Sequence, residues 1–254
     1  IIIDEGQDWP PSEASLIKAL YDPSIFCVAD GVQQLIRGEK VNWFQNISKD
    51  TKHIISLEKS LRMKSNLATF VNLFSNYYQS DLNFIQNQKA AGGRIIIIQD
   101  PYYENLLLHK KLINEAKIEG NSELDFLFCV TSEDVDLVNG SKVSKIATFL
   151  NNNDYLVWDA VDEKVRRDFP RNANTFRVVQ YESCRGLEGW TVVLNKFDSF
   201  FENKFLIKKQ QGLTIDEENS YILLDNSAVA HAVRWSLIAL SRSIDTLVIH
   251  LDNP

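Results

Sequence analysis

The chain has no glycine-rich phosphate loop: the pattern G-x-x-x-x-G-K-[ST] occurs nowhere in its 254 residues. By itself it should therefore not cradle the β- and γ-phosphates of a nucleotide. Cysteines are few and odd in number, and Cys27, Cys129 and Cys184 form no C-x-x-C pair. That argues against a disulfide framework or a zinc site and points to a reducing, cytoplasmic compartment. No apolar run is long enough to span a bilayer, and no signal peptide is visible. Positive charge is in deficit, with 27 Lys and Arg against 34 Asp and Glu and a formal net charge of −7. A strongly basic nucleic-acid coat is excluded, although a local groove is not. There is no internal repeat and no low-complexity tract. The histidines His53, His109, His231 and His250 sit at unrelated spacings and form no nuclease constellation.

What is present is ordinary globular composition, 44% hydrophobic and 24% charged, enough for one large domain or two modest ones. Short β-branched runs alternate with helical segments, which predicts a doubly wound α/β architecture. Expected strands are Ile1 to Asp4, Ile25 to Ala29, His53 to Leu57, Arg94 to Gln99, Asp125 to Val130, Tyr155 to Trp158, Phe176 to Gln180, Val192 to Phe197 and Thr246 to Leu251. The near-continuous apolarity of Ile95 to Ile98 and Phe126 to Val130 suits strands covered on both faces. Expected helices are Ser12 to Tyr21, Ser65 to Gln79, Tyr103 to Glu119, Asp134 to Asn151 and Ser227 to Ser241. Ser12 is the expected N-cap, with Pro10-Pro11 blocking an earlier start. A boundary is expected near residue 50, after the polar stretch Gln45 to Lys52. Asp159 to Asn174 reads as irregular, and Asn203 to Asn219 as a polar surface insertion. A chain that starts on Ile1, inside a strand, is expected to be a fragment.

Five segments carry chemistry. The strand Ile1-Ile2-Ile3 runs into Asp4-Glu5-Gly6-Gln7-Asp8. Paired carboxylates at a strand end can serve magnesium and an attacking water, one on the metal's hydration shell and one accepting the proton. Val28-Ala29-Asp30-Gly31-Val32-Gln33 offers a glutamine that can hydrogen-bond a γ-phosphate oxygen or the attacking water; taken alone, the segment reads rather as a solvated strand-to-helix turn. Leu57-Glu58-Lys59-Ser60-Leu61-Arg62-Met63 carries Arg62, either a surface arginine or a finger that neutralises transition-state charge. In Cys184-Arg185-Gly186-Leu187-Glu188-Gly189-Trp190, Gly186 permits close backbone approach and Glu188 can accept from a ribose hydroxyl. Trp190 reads as a core aromatic. Ala239-Leu240-Ser241-Arg242-Ser243 ends a helix at Arg242, which suits the helix dipole and also a second arginine facing phosphates.

Taken together and in this order, the five segments resemble the motifs of the UvrD/Rep-like superfamily I DNA helicases, from the Walker B segment onward. Asp4 to Asp8 is similar to D-E-x-Q-D. Asp30 and Gln33 match G-D-x-x-Q, with Ala29 for the glycine. Leu57 to Met63 resembles L-x-x-N-Y-R-S, with Ser60 and Leu61 for Asn and Tyr. Arg185 to Glu188 resembles K-G-L-E, with Arg for Lys. Ala239 to Ser243 resembles A-x-T-R-A.

The resemblance implies a RecA-like P-loop NTPase fold, a parallel sheet flanked by helices, with an incomplete first RecA-like domain at 1–50 and a second RecA-like helicase domain at 51–254. It implies ATP and Mg2+ as cofactors, with Asp4 on the metal, Glu5 as general base and Gln33 as γ-phosphate sensor. Arg62 and Arg242 would be arginine fingers, and Gln7, Asp30, Arg185, Gly186 and Glu188 nucleotide contacts, Glu188 at the ribose. Arg185 and its loop would link nucleotide to DNA. The implied partners are single-stranded DNA, the upstream half of the same polypeptide, and a nuclease or repair partner. A segment from Met63 to Gln180 with only sheet elements and short connections implies a compact second domain without a large accessory subdomain. The alternative is a degenerate RecA-like module that binds DNA or a partner without hydrolysing ATP.

Overall fold

A computed structural model describes residues 1–29, 41–45, 53, 55, 60, 62–80, 84–87, 89–212 and 220–253, with 211–212 and 220–226 as backbone only. The chain divides into two compact units, Ile1–Glu58 and Lys59–Pro254. Asp30, Gln33, most of the strand expected at His53 to Leu57 and most of the polar stretch before it lie outside the described residues.

In the first unit, β1 (Ile2–Ile3) and β2 (Cys27–Val28) pair in parallel, Ile2 beside Cys27 and Ile3 beside Val28. The helix α1 (Pro11–Leu20) begins one residue earlier than expected, with Pro11 at its first position and Ser12 inside it. Proline needs no hydrogen-bond acceptor there and its fixed φ suits the first turn, so it starts the helix rather than blocking it. Ile3, Ala14, Phe26, Val41 and Trp43 form the core. The Trp43 ring meets Trp9 edge-on at 5.5 Å and Phe26 at 6.0 Å.

The second unit is built on six parallel strands: β3 (Arg94–Ile98), β4 (Phe126–Val130), β7 (Leu156–Asp159), β8 (Thr175–Gln180), β9 (Gly189–Leu194) and β10 (Ser243–His250). Their order across the sheet is β3-β10-β9-β4-β8-β7. Flanking them are α2 (Ser65–Tyr77), α3 (Leu106–Ile118), α4 (Lys145–Asn151), α5 (Glu163–Arg166), α6 (Phe197–Gly212) and α7 (Ser220–Leu240). Leu112, Ile113 and Ala116 of α3 and Ile146 and Leu150 of α4 pack on Phe126, Phe128, Val130, Phe176, Val178, Val193 and Val248. Every residue of β4 is buried, as its continuous apolarity predicts. Ile95 to Ile98 differs: β3 is an edge strand, and Ile97 is 60% exposed.

Two expectations are corrected. Asp134 to Asn151 is not one helix. It forms an antiparallel hairpin, β5 (Val135–Val138) and β6 (Ser141–Ser144), followed by α4. Asn139 and Gly140 both take positive φ, 50° and 80°, the two-residue turn that matches strand twist. Ser144 then caps α4, its hydroxyl accepting from Ala147 N at 3.0 Å. Asn203 to Asn219 is likewise no simple insertion, because α6 continues to Gly212. The helix buries Phe197, Phe200 and Lys204, while Glu202, Asn203, Leu206, Ile207 and Gln210 are exposed.

Candidate functional site

The first unit ends β1 in an acidic elbow. Asp4 is exposed, with one carboxylate oxygen accepting Glu5 N at 2.9 Å. Glu5 has φ 51° and ψ 41°, a left-handed conformation that is costly for a residue with a Cβ and tends to persist where a site requires it. Its Oε2 accepts from Gln7 Nε2 at 2.7 Å. Gln7 is fully buried, so its amide orients the Glu5 carboxylate. Gly6 ties the elbow to β2 by donating to Ala29 O at 2.9 Å, and Trp43 Nε1 donates to Gly6 O at 2.7 Å. A Cβ on Gly6 would lie 2.4 Å from Val28 Cγ1, so only glycine fits. An exposed Asp4 suits hydrated Mg2+, which is commonly held by one or two carboxylates together with phosphates.

In the second unit, the segment after β8 decides the geometry. β8 and β9 flank β4, so the chain from Gln180 to Gly189 must cross β4 and return to the opposite sheet end. It does so over residues 181–188 with a single 3-10 turn and no α-helix, although a parallel crossover usually takes a dozen or more residues. Tyr181 anchors its start, stacking on Phe200 at 4.0 Å and donating its hydroxyl to Asn195 O at 3.0 Å. Lys204 reaches Glu182 at 2.5 Å. Cys184 is buried, and Gly186 takes φ 79°.

The end of this crossover lies at the N-terminal edge of the sheet, where three arginines meet it. Arg62 Nε donates to Glu188 Oε2 at 2.7 Å. Arg177 Nη2 donates to Glu188 O at 2.6 Å. Arg242 Nη1 lies 3.4 Å from Leu187 O, while its Nε donates to Ile238 O at 2.8 Å and Gly189 N donates to Arg242 O at 3.1 Å. The fold thus brings Arg62, Gly186, Glu188 and Arg242 into one neighbourhood. Arg242 is 5% exposed and closes the C-terminal end of α7, whereas the Arg62 side chain is 36% exposed. Arg185 is partly buried in the same segment. Arg177 went unnoticed in the sequence. It sits mid-strand in β8, 7% exposed, and burial pulls its pKa below the usual arginine value. No local pattern marks it, because its partner is a backbone carbonyl brought near only by the crossover.

Beside this edge lies a cleft of about 350 Å3 lined by Arg94, Glu115, Trp190, Thr191, Asp245 and others. Two of its lining residues also hold Lys64, whose Nζ lies 2.5 Å from Asp245 and 4.6 Å above the Trp190 ring. Trp190 is therefore half-buried against the core with part of its surface in the cleft, rather than a fully enclosed core aromatic. His250 is buried in β10, its Nδ1 near Asn195 Oδ1 at 3.0 Å, in the structural role its strand position suggests. Among the described residues, no group of three or more His, Cys, Asp or Glu is arranged to hold a metal ion. No described helix is long and apolar enough to cross a membrane.

No protein-family model and no curated protein matches the chain. Among solved structures it is similar to one described as the C-terminal domain of a possible DNA helicase from Lactobacillus plantarum WCFS1. The match has 8% sequence identity and a TM-score of 0.38, covering 76% of this chain and 89% of that one.

Proposed function

We propose that the chain is the C-terminal part of an ATP-dependent DNA helicase or translocase. One observation carries the reading: Arg62, Glu188 and Arg242, far apart in sequence, converge at one edge of a parallel sheet. The phosphate loop is supplied from outside this chain's own motifs. Asp4 holds Mg2+, which offsets phosphate charge, and Glu5, oriented by Gln7, accepts the proton of the attacking water. Arg62 stabilises charge that develops on the transferred phosphoryl group, and Arg242, joined to the crossover, is the second arginine of the set. Arg185 and the crossover couple nucleotide state to single-stranded DNA.

The test is single-stranded-DNA-stimulated ATPase activity of this chain alone and of the chain joined to an upstream phosphate-loop segment. Activity is expected only in the joined protein, and Glu5→Gln should abolish turnover there while ATP still binds. DNA binding with no ATPase in either form would instead identify a binding module.

A further inference from the structure

We propose that Glu188 is a positioning residue for Arg62, holding its guanidinium by Nε so that Nη1 and Nη2 are presented to a phosphate-bearing anion. The inference rests on the reading of Arg62 as an anion-stabilising arginine, and it gives Glu188 a task other than the ribose contact that sequence resemblance implies.

Three observations lead to it. First, Glu188 contacts Arg62 through Nε alone, at 2.7 Å. Arg62 makes no other side-chain hydrogen bond or ion pair among the described residues, so both Nη groups are left for a ligand. Second, the frame of Glu188 is fixed while its carboxylate is not enclosed. Arg177 holds the Glu188 carbonyl and Arg242 approaches that of Leu187, yet the Glu188 side chain is 54% exposed. A carboxylate on a pinned backbone can aim a long side chain that otherwise samples many rotamers. Third, Arg62 comes from a segment 126 residues away from Glu188 in sequence. The pair therefore forms only in the folded unit, and as an exposed ion pair it contributes little to stability. Its value is orientation: a guanidinium held in one geometry loses less rotamer freedom when it binds an anion.

The test has an unusual sign. Removing an acidic group beside an anion site ordinarily tightens anion binding. If Glu188 positions Arg62, truncating it loosens binding. The full 254-residue chain, labelled at arginine nitrogens, is titrated with inorganic tripolyphosphate while the Arg62 side-chain NMR signal is followed, that signal being assigned by its loss in Arg62→Lys. Glu188→Ala is expected to weaken binding roughly three- to ten-fold, the range for one immobilised side chain. Glu188→Gln keeps an acceptor for Nε and is expected to stay within about two-fold of the parent. Because the carboxylate is exposed, both variants should fold, which unchanged backbone spectra would show. Equal or tighter binding by Glu188→Ala overturns the positioning role while leaving the anion-binding reading intact. An Arg62 signal that ignores tripolyphosphate in the parent chain overturns the positioning role, whereas the reading of Arg62 in ATP hydrolysis stands or falls on the ATPase of the phosphate-loop-joined protein.

Discussion

Arg177 donates from Nη2 to the main-chain oxygen of Glu188 at 2.6 Å, pinning the end of a helix-free crossover to the strand beneath it. The guanidinium is buried, and its Nε has no partner among the described residues. A buried charge of this kind is weak evidence for stability, because desolvation offsets much of what the hydrogen bond contributes.

Arg177→Met should therefore leave global stability within about 1–2 kcal/mol of the parent, since an apolar side chain of similar length can fill the site. Amide exchange across residues 185–189 should rise, because the crossover loses its anchor. Hydrogen-exchange mass spectrometry and denaturant unfolding together check this. Unchanged exchange in that stretch would show that the crossover is held by other contacts.

Gly6→Ala should destabilise the first unit by about 1–3 kcal/mol through overpacking. The added methyl meets Val28 Cγ1 at 2.4 Å and the Trp43 Nε1 that donates to Gly6 O. Urea unfolding followed by tryptophan fluorescence reads the change, and an unaltered midpoint would contradict the close approach.

His109 makes acid a selective destabiliser. Its ring is buried against Phe128, Tyr155 and Phe176, with Nδ1 2.9 Å from the Tyr102 hydroxyl. Burial lowers its pKa from 6.5 to about 4. The neutral ring is the folded form, so no stability is lost above pH 6.5, and stability falls as pH drops from 6.5 towards 4. The full loss is about 3 kcal/mol at order of magnitude, each pKa unit being about 1.4 kcal/mol. Asp159 acts with the opposite sign. Burial raises it to about 6 against hydrogen bonds from Ser144, so its contribution is present below about pH 4 and is lost as pH rises through 6. Replacing both partners, His109→Leu with Tyr102→Phe, avoids stranding a buried hydroxyl. That double variant should lose stability less steeply between pH 6.5 and 4 than the parent. Equal slopes would mean His109 does not titrate in the fold.

Much of this was legible in the chain itself. The continuous apolar run at Phe126 to Val130 became a strand buried throughout, because such a run needs cover on both faces, and the shorter β-branched runs at Phe176 to Gln180 and Thr246 to Leu251 also became strands of the sheet. The Asp134 to Asn151 segment misled because apolar residues at 135, 138, 143, 146, 147 and 150 fit a helical stripe. The overriding signal was local: Asn139-Gly140 between alternating residues is a hairpin turn. The strand order and the crossover over β4 could not be read, since they depend on long-range pairing. For the same reason the meeting of Arg62 with Glu188, and the role of Arg177, emerged only with the fold. Asp30 and Gln33, singled out by sequence, lie outside the described residues.

The central claim is that Arg62 acts on the transferred phosphoryl group. The direct measurement is steady-state ATPase, with saturating single-stranded DNA, of the phosphate-loop-joined protein and its Arg62→Ala variant. The half-exposed position of Arg62 lets the variant fold. The account predicts a kcat lower by about 10³–10⁵, the range for an arginine finger. A kcat within about tenfold of the parent, with DNA stimulation preserved, would contradict it and leave Arg62 as a surface ion-pair partner of Glu188.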